Sequence, residues 1–572
     1  MRAPTPLRFL LSSLIILVCA TACAGNKPTQ TQTPAAEAPR FNRVERMEFN
    51  RRAAALFLPV FWRADDDNDG DLDPSELAVL WGVSNEPATT WIANGSFTPA
   101  FVAGYGTIEK GVSTAGLLAD EKARRDLVLQ ELGQGRPTLI LTDLAKGSPE
   151  DKAIVTHILT AARWIERIYA KQNGVWGLAE KMAADDTASK ALYFRNQGPF
   201  CEAPKTEKDP ACNALADKPK KLSGIYPDEI QADPKFCEVL EKRKDEKALL
   251  GPFVVVRYPE TVDAKIKKEG KAATDTLVPV PYTVAYAEEM KAISDELRSA
   301  AAAVVDPQES AFKAYLEAAA GSFVSNDWVP ADTAWAAMNA TNSKWYLRIG
   351  PDEVYFEPCS RKAGFHVSFA RINQDSLAWQ KKLDPVKKEL EAEAAGLAGP
   401  PYKARDVGFH LPDFIDIVVN AGDSRNAHGA TIGQSLPNWG PVAEKGGRTV
   451  AMTNFYTDKD SQAALLEQTA SLFCKATMDQ VDPDPKHGTM STVLHEAAHN
   501  LGPAHSTKSK ARPTTRSLAG RWPPPSRSSR VRPQPFILPS GWSKRRCSRT
   551  RMQRQPICAT SRGPLVTSPR GW

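Results

Sequence analysis

The chain has 572 residues, 42% of them hydrophobic and 24% charged, enough for two or more domains around sizeable cores. Its formal net charge of +6 is unevenly placed: the residues after His505 hold 16 Lys and Arg and no Asp or Glu, while the part before them has 57 basic against 67 acidic residues, a net of −10. The body is acidic, so nothing in it argues for nucleic-acid binding.

In chain order, Arg2 and Arg8 precede an apolar run from Phe9 to Val18, too short to span a bilayer as a permanent helix. Ala20-Thr21-Ala22-Cys23 follows. It resembles a bacterial lipoprotein signal, with Ala20 where leucine is usual, and implies a lipidated Cys23 after removal of residues 1–22. Residues 23–45, rich in Thr, Pro, Ala and Gln, read as a flexible tether. The expected location is export to the periplasmic or cell-surface face of a bacterial membrane, the outer one, with plain secretion as the alternative.

Residues 46–85 carry the next motif. Asp65, Asp67, Asp69, Asp71, Asp73 and Glu76 occupy positions 1, 3, 5, 7, 9 and 12 of an EF-hand loop, with Gly70 at the turn and Leu72 at the apolar position. Calcium takes six to eight hard oxygen ligands, and this spacing supplies them, Asp71 through its carbonyl. Arg51 to Arg63 reads as a preceding helix, and Glu76 to Trp81 begins another. A solvated acidic turn is the plainer alternative. Only one such loop occurs, so it is expected to dock on the main domain as a staple.

The main domain is expected over residues 90–505. Pro137 to Thr142 reads as a short buried strand. Ala153 to Tyr169, Val284 to Val305, Gln308 to Ala319, Ser376 to Leu397 and Ser461 to Met478 have helical spacing. The fold class is therefore mostly α with some β (α+β). Trp345 to Tyr355 joins a strand-like run to a Gly-Pro turn and two acids, and Ala421 to Gly440 is a polar, Gly-rich loop of the kind that lines sites. Among Cys201, Cys212 and Cys237 one disulfide is expected; Cys474 reads as a buried core residue. No CxxC pair occurs, so a cysteine-ligated zinc is not expected.

The strongest signal is His495-Glu496-Ala497-Ala498-His499, followed by a Gly502-Pro503 stop. On a helix, His495 and His499 share one face and can share a zinc ion, and Glu496 stands where it can take a proton from a metal-bound water. This HEAAHNLGP stretch, with Arg348 to Tyr355 (RIGPDEVY), a looser Gly422 to Asn438 and Ile225 to Glu229, resembles the dipeptidyl-peptidase III-like zinc metallopeptidases. The resemblance covers about residues 130–505. It implies a two-lobed, largely helical fold with a cleft, Zn2+ as cofactor and peptide substrates. Asn500 replaces the glycine usual after the second histidine.

A catalytic zinc needs three protein ligands. His505 completes a metzincin-like spacing; the resembling family uses instead a Glu from a later helix. No such helix follows. Residues 506–572 turn abruptly to Arg, Ser and Pro without acids or periodicity. Back-translated, the neighbouring reading frame can encode a balanced helix-forming sequence with a Glu-Glu pair, so a frameshift after His505 is expected; a disordered basic tail is the alternative. The functional expectation is a zinc peptidase on a calcium-binding, lipid-anchored protein, inactive if its third ligand is lost. The alternative is a non-catalytic calcium-binding surface lipoprotein on a peptidase-derived fold.

Overall fold

The structure, a computed structural model, describes residues 40–482 except 85, 263–273, 375–376, 379–380, 383, 401–402, 405–412, 426–432 and 445–446. Cys23, His495, Glu496, His499, His505 and the basic tail lie outside the described residues.

The chain opens with α1 (Arg46–Ala55), whose Phe49 and Ala53 are buried. The expected helix to Arg63 stops at Ala55, and Phe57 turns into the left-handed region (φ 55°). Pro59 cannot donate to a helical ladder, and Val60, Phe61 and Trp62 are all buried, which suits a strand and not one helix face. They form β1 (Val60–Trp62), antiparallel to β2 (Leu77–Val79) with Trp62 opposite Leu77. Strands, not helices, therefore flank the acidic loop. Asn50 clasps β1 through both backbone groups of Trp62 (3.0 and 2.7 Å). α2 (Pro99–Lys110), capped by Thr98 with Pro at its first turn, closes a core of Phe41, Phe49, Trp62, Leu72, Phe101, Tyr105 and Ile108.

α3 (Ala119–Leu132) and the following long helix α4 (Pro149–Gln172) are joined by an irregular segment. Pro137 to Thr142 lies there and is not a strand. The strand it approaches, Asp413–Gly422, already has a ladder on both edges, and the Thr142 hydroxyl reaches it at the carbonyl of Ile417 (2.7 Å). α4 begins with a Ser148–Asp151 capping box and buries Ile154, Ile158, Ala161, Ala162, Ile165 and Ile168, the stripe its sequence period predicts. α5 (Thr187–Asn196) follows. The one disulfide expected among Cys201, Cys212 and Cys237 joins Cys201 to Cys212, and Cys237 pairs with Cys359, 122 positions on. Cys474 lies outside these two disulfides and is only half-buried, not the core residue expected.

A small ladder of β3 (Val254–Arg257) with β4 (Val278–Pro281) precedes three helices, α6 (Ala287–Ala303), α7 (Ser310–Ser325) and α8 (Val329–Ala337). These pack with α4 against one sheet made of β5 (Trp345–Glu353), β6 (Gly364–Ile372), β7 (Asp413–Gly422), β8 (Gly433–Leu436) and β9 (Arg448–Met452), in the order β8-β9-β7-β6-β5. Only β9 and β7 run parallel. The sheet curls until side chains bridge its outer strands: Tyr346 on β5 donates to Gln434 on β8 (2.8 Å). It is not a closed barrel.

The expected Gly350-Pro351 turn is instead strand. β5 runs through it, with a register irregularity between Pro351 and Glu353. Gly350 is at φ 154°, where any Cβ would come within 2.9 Å of the Trp328 ring. The last element is α9 (Lys459–Leu472); its expected extension to Met478 breaks at Phe473 and Cys474 before a short turn of helix, Lys475–Met478. Arg46 of α1 reaches Asp460 of α9 through both nitrogens (2.9 and 2.5 Å). The architecture is the mixed α+β, largely helical fold expected, and no helix among the described residues is long and apolar enough to cross a membrane.

At the end of β7, Gly422 (φ 63°) lets α4 and β6 meet: an added Cβ would lie 2.2 Å from the Phe365 carbonyl and 2.9 Å from Ile165. Its N–H donates to Glu166 and its carbonyl accepts from Gln197. Gly422→Ala should therefore cost about 2 kcal/mol or more, read as a lower urea midpoint with an unchanged m-value.

Candidate functional site

Two places in the described structure concentrate chemistry. The first is the acidic loop. Asp65, Asp67 and Glu76 each bring a carboxylate oxygen within 4.8 Å of the others. Asn68 and Gly70 take left-handed conformations, which turn the chain back on itself. The N–H of Gly70 donates to Asp65, that of Asp69 to Asp67 and that of Asp71 to Asp69. Glu76 is only 2% exposed and is fixed by the N–H groups of Asp66 (2.5 Å) and Asp73 (3.2 Å) and by the Trp62 indole (3.2 Å). One oxygen of Asp65 is buried without a hydrogen-bond partner. Asp69 and Asp73 stand outside the cluster, and the Asp71 carboxylate accepts from the N–H of Phe41. Burial first, and then the charges of Asp67, Asp69 and Asp71, raise the pKa of Asp73. An all-oxygen set with a buried orphan acceptor fits a hard cation such as Ca2+. Glu131, Cys201 and Cys212 also converge, but those sulfurs are tied in a disulfide.

The second place is the end of the curled sheet. Arg348 on β5 is 4% exposed. It donates to Asp332 of α8 (2.7 Å) and, through two nitrogens, to Asp352. His366 on β6 holds the same carboxylate at 2.6 Å. Burial pushes the Asp352 carboxyl up, but Arg348 and His366 outweigh it and hold it well below the usual carboxylate range. Its neighbour Glu353 is treated oppositely. No cation pairs with it among the described residues, and burial, then the charges of Asp352 and Asp423, push its carboxyl up to about 7 against a hydrogen bond from Asn438. Asn438 also donates to the Asp352 carbonyl (3.2 Å). Asp423, just past β7, accepts from the Tyr169 hydroxyl of α4 (2.9 Å) and is likewise raised by burial. Two residues beyond Glu353, Tyr355 is 75% exposed.

Side chains from β6, the turn after β7 and the segment after β8 thus bear on one half-buried acid whose carboxyl is pushed up to about 7. Such a group can bind a cation as carboxylate or hold a proton. The two stretches singled out in the sequence, Trp345 to Tyr355 and Ala421 to Gly440, are the ones brought together. The adjacent acids at a strand end were the legible signal; the roles of His366 and Asp332 carried none.

No protein-family model and no curated protein matches the chain. Among solved structures, the fold is that of dipeptidyl-peptidase III structures. The Caldithrix abyssi dipeptidyl-peptidase III structure is 22% identical, with a TM-score of 0.52 over 65% of this chain and 68% of that one. The structure of the enzyme from Corallococcus sp. strain EGB is 24% identical, with a TM-score of 0.54 over 66% of this chain and 67% of that one.

A carboxyl whose folded pKa exceeds its unfolded value binds the extra proton only when folded, so stability falls as pH rises between the two values and is level above them. For Glu353 that window runs from 4.5 to about 7. Glu353→Gln should flatten the fall of stability across that window, measured by urea titration at pH 5, 6, 7 and 8; an unchanged slope would show that the charge change lies elsewhere.

Proposed function

We propose that the chain is a zinc-dependent peptidase of the dipeptidyl-peptidase III-like type, exported and anchored through a lipid on Cys23, with a calcium ion in the loop Asp65 to Glu76. The likeness in fold to dipeptidyl-peptidase III structures carries this reading. The HExxH spacing of His495 and His499 and the acid at the sheet end support it.

In this reading His495 and His499 would hold the zinc, and the third ligand in the chain as written is either His505 or absent. The metal supplies polarisation of the scissile carbonyl and acidification of a bound water. Glu496 would be the general base for a water at that site and the acid for the leaving amine. An extended peptide lies along the outer edge of β8, which has a ladder on one side only among the described strands, and its backbone groups pair there. Glu353, ionised above about 7, receives the peptide's ammonium end. The tail from Ser506 is the product of a shifted reading frame, and the frame it displaced encodes the glutamate that would complete the site. Sequencing the gene around codon 505 tests this: a single intact frame without a helix-encoding neighbour would sink it.

Zinc content and peptide cleavage of the 572-residue chain test the rest. Glu496→Ala should lower kcat by at least about a hundredfold without loss of zinc. If His505 is the working third ligand, His505→Ala should remove both zinc and activity. Cleavage by the wild-type chain no faster than by Glu496→Ala would instead favour the second reading, a non-catalytic calcium-binding surface lipoprotein. The convergence of Asp65, Asp67 and Glu76, remote in sequence from the zinc motif, is what favours it.

Calcium should raise the Tm of the chain, by an amount that sets in once its concentration exceeds the site's Kd and then grows with its logarithm. Asp65→Asn should abolish that rise while leaving the metal-free Tm close to the wild-type value. A calcium-independent Tm would remove the ion from the proposal.

A further inference from the structure

The loop from Gly224 to Asp228, the end of β3 and Tyr258 surround a cavity of about 310 Å3, lined by Gly224, Tyr226, Pro227, Asp228, Arg257 and Tyr258. Arg257 is its cation. One terminal nitrogen donates to the carbonyls of Ile225 (3.0 Å) and Val256 (2.9 Å), and the other to that of Gly224 (2.8 Å). All three acceptors are neutral. The other strongly enclosed arginines each face a carboxylate: Arg124 meets Asp186, Arg195 meets Glu131, Arg348 meets Asp332 and Asp352, Arg425 meets Glu166 and Arg448 meets Asp413. Among the described residues Arg257 has no such partner. Burial accordingly lowers its pKa.

A guanidinium partly withdrawn from water and left with carbonyl dipoles alone is under-compensated, and an anion that pairs with it in fork geometry recovers the difference. Two more groups shape the ligand. Tyr286 is 2% exposed and its hydroxyl has no hydrogen-bond partner, yet it is close enough to Arg257 for each to shift the other's pKa. Asp228 is exposed on the lining and acts on Arg257 through space without forming an ion pair. The cavity therefore offers a cation inside and an anion at its rim. Its volume is at the low end for small-molecule sites, about 300–1,000 Å3.

We propose that this cavity binds a small zwitterion, a free amino acid or short peptide, with its carboxylate on Arg257 and its ammonium on Asp228. None of the lining residues belongs to the zinc motif or to the sheet-end cluster around Glu353, and the proposal does not depend on the chain being a peptidase.

Calorimetric titration of the full chain carrying Glu353→Gln, which removes the acid at the sheet end, tests it with four probes: dialanine, N-acetyl-dialanine, dialanine amide and inorganic phosphate. Dialanine should bind one to one. Blocking either end should weaken binding by about tenfold or more, the loss of one charged contact. Arg257→Gln should abolish dialanine binding. Asp228→Asn should weaken dialanine but not the N-acetyl form. Because Arg257 also ties three carbonyls, its variant is read only if its Tm matches the parent; otherwise the exposed Asp228→Asn carries the test. No heat with dialanine, indifference to acetylation, or phosphate binding as tightly as dialanine would each overturn the proposal. Failure of peptide cleavage would leave it standing, and failure here would leave the peptidase reading standing.

Discussion

The sheet end depends on one buried cation. Arg348 stands between the helical layer and the sheet, with its guanidinium 4.9 Å from the centre of the Trp335 ring and a carboxylate on each side. Asp332 comes from α8 and Asp352 from the last turn of β5 before the chain leaves the sheet. Withdrawing three charges from water is costly, and no one pair of them would recover that cost; the fork of the guanidinium serves both acids at once. The arrangement fixes α8 against β5 and ends the strand in a defined place. It also fixes the charge of Asp352, so that the neighbouring Glu353 feels a permanent anion beside it.

The curl of the sheet extends the same logic. A flat five-stranded sheet would place β5 and β8 far apart, since three strands lie between them. Twist brings them close enough for Tyr346 to reach Gln434 and for Asn438 to reach the end of β5. Arg448, buried against Asp413, packs over Tyr346 (5.2 Å) and Trp335 (5.6 Å), so a second ion pair shares the aromatic surface that Arg348 uses. The segments that the sequence places 80 or so positions apart thus become one wall, and loops with no chemistry of their own acquire it by meeting.

How far this could be read from residues depends on how local the cause is. α4, α6 and α7 were legible because each buries one stripe at helical period, Ile154 to Ile168 being the clearest. Val60 to Trp62 misled because a short apolar run satisfies helix and strand alike, and the decision rests on Leu77 to Val79, which complete the ladder. The Cys237–Cys359 pair was not legible, since nothing near either residue marks the other. The candidate acid was half legible: two acids after a strand drew notice, but the pKa of Glu353 follows from Asp352, Asp423 and Asn438, which arrive from separate elements. The HExxH pattern is legible for the opposite reason, since five consecutive residues, His495 to His499, contain the whole spacing.

The contact of Arg46 with Asp460 has a consequence for how the chain is made. It joins the first described helix to the last long one across 414 positions. Synthesis at about 5–20 residues per second puts on the order of tens of seconds between the two. During that interval the core of Phe49, Trp62 and Tyr105 can assemble from residues nearby in sequence, while Arg46 keeps only the carbonyls of Trp62 and Arg63. The part of the described chain that is synthesised first therefore completes this surface only once α9, which buries none of its own residues, has been made.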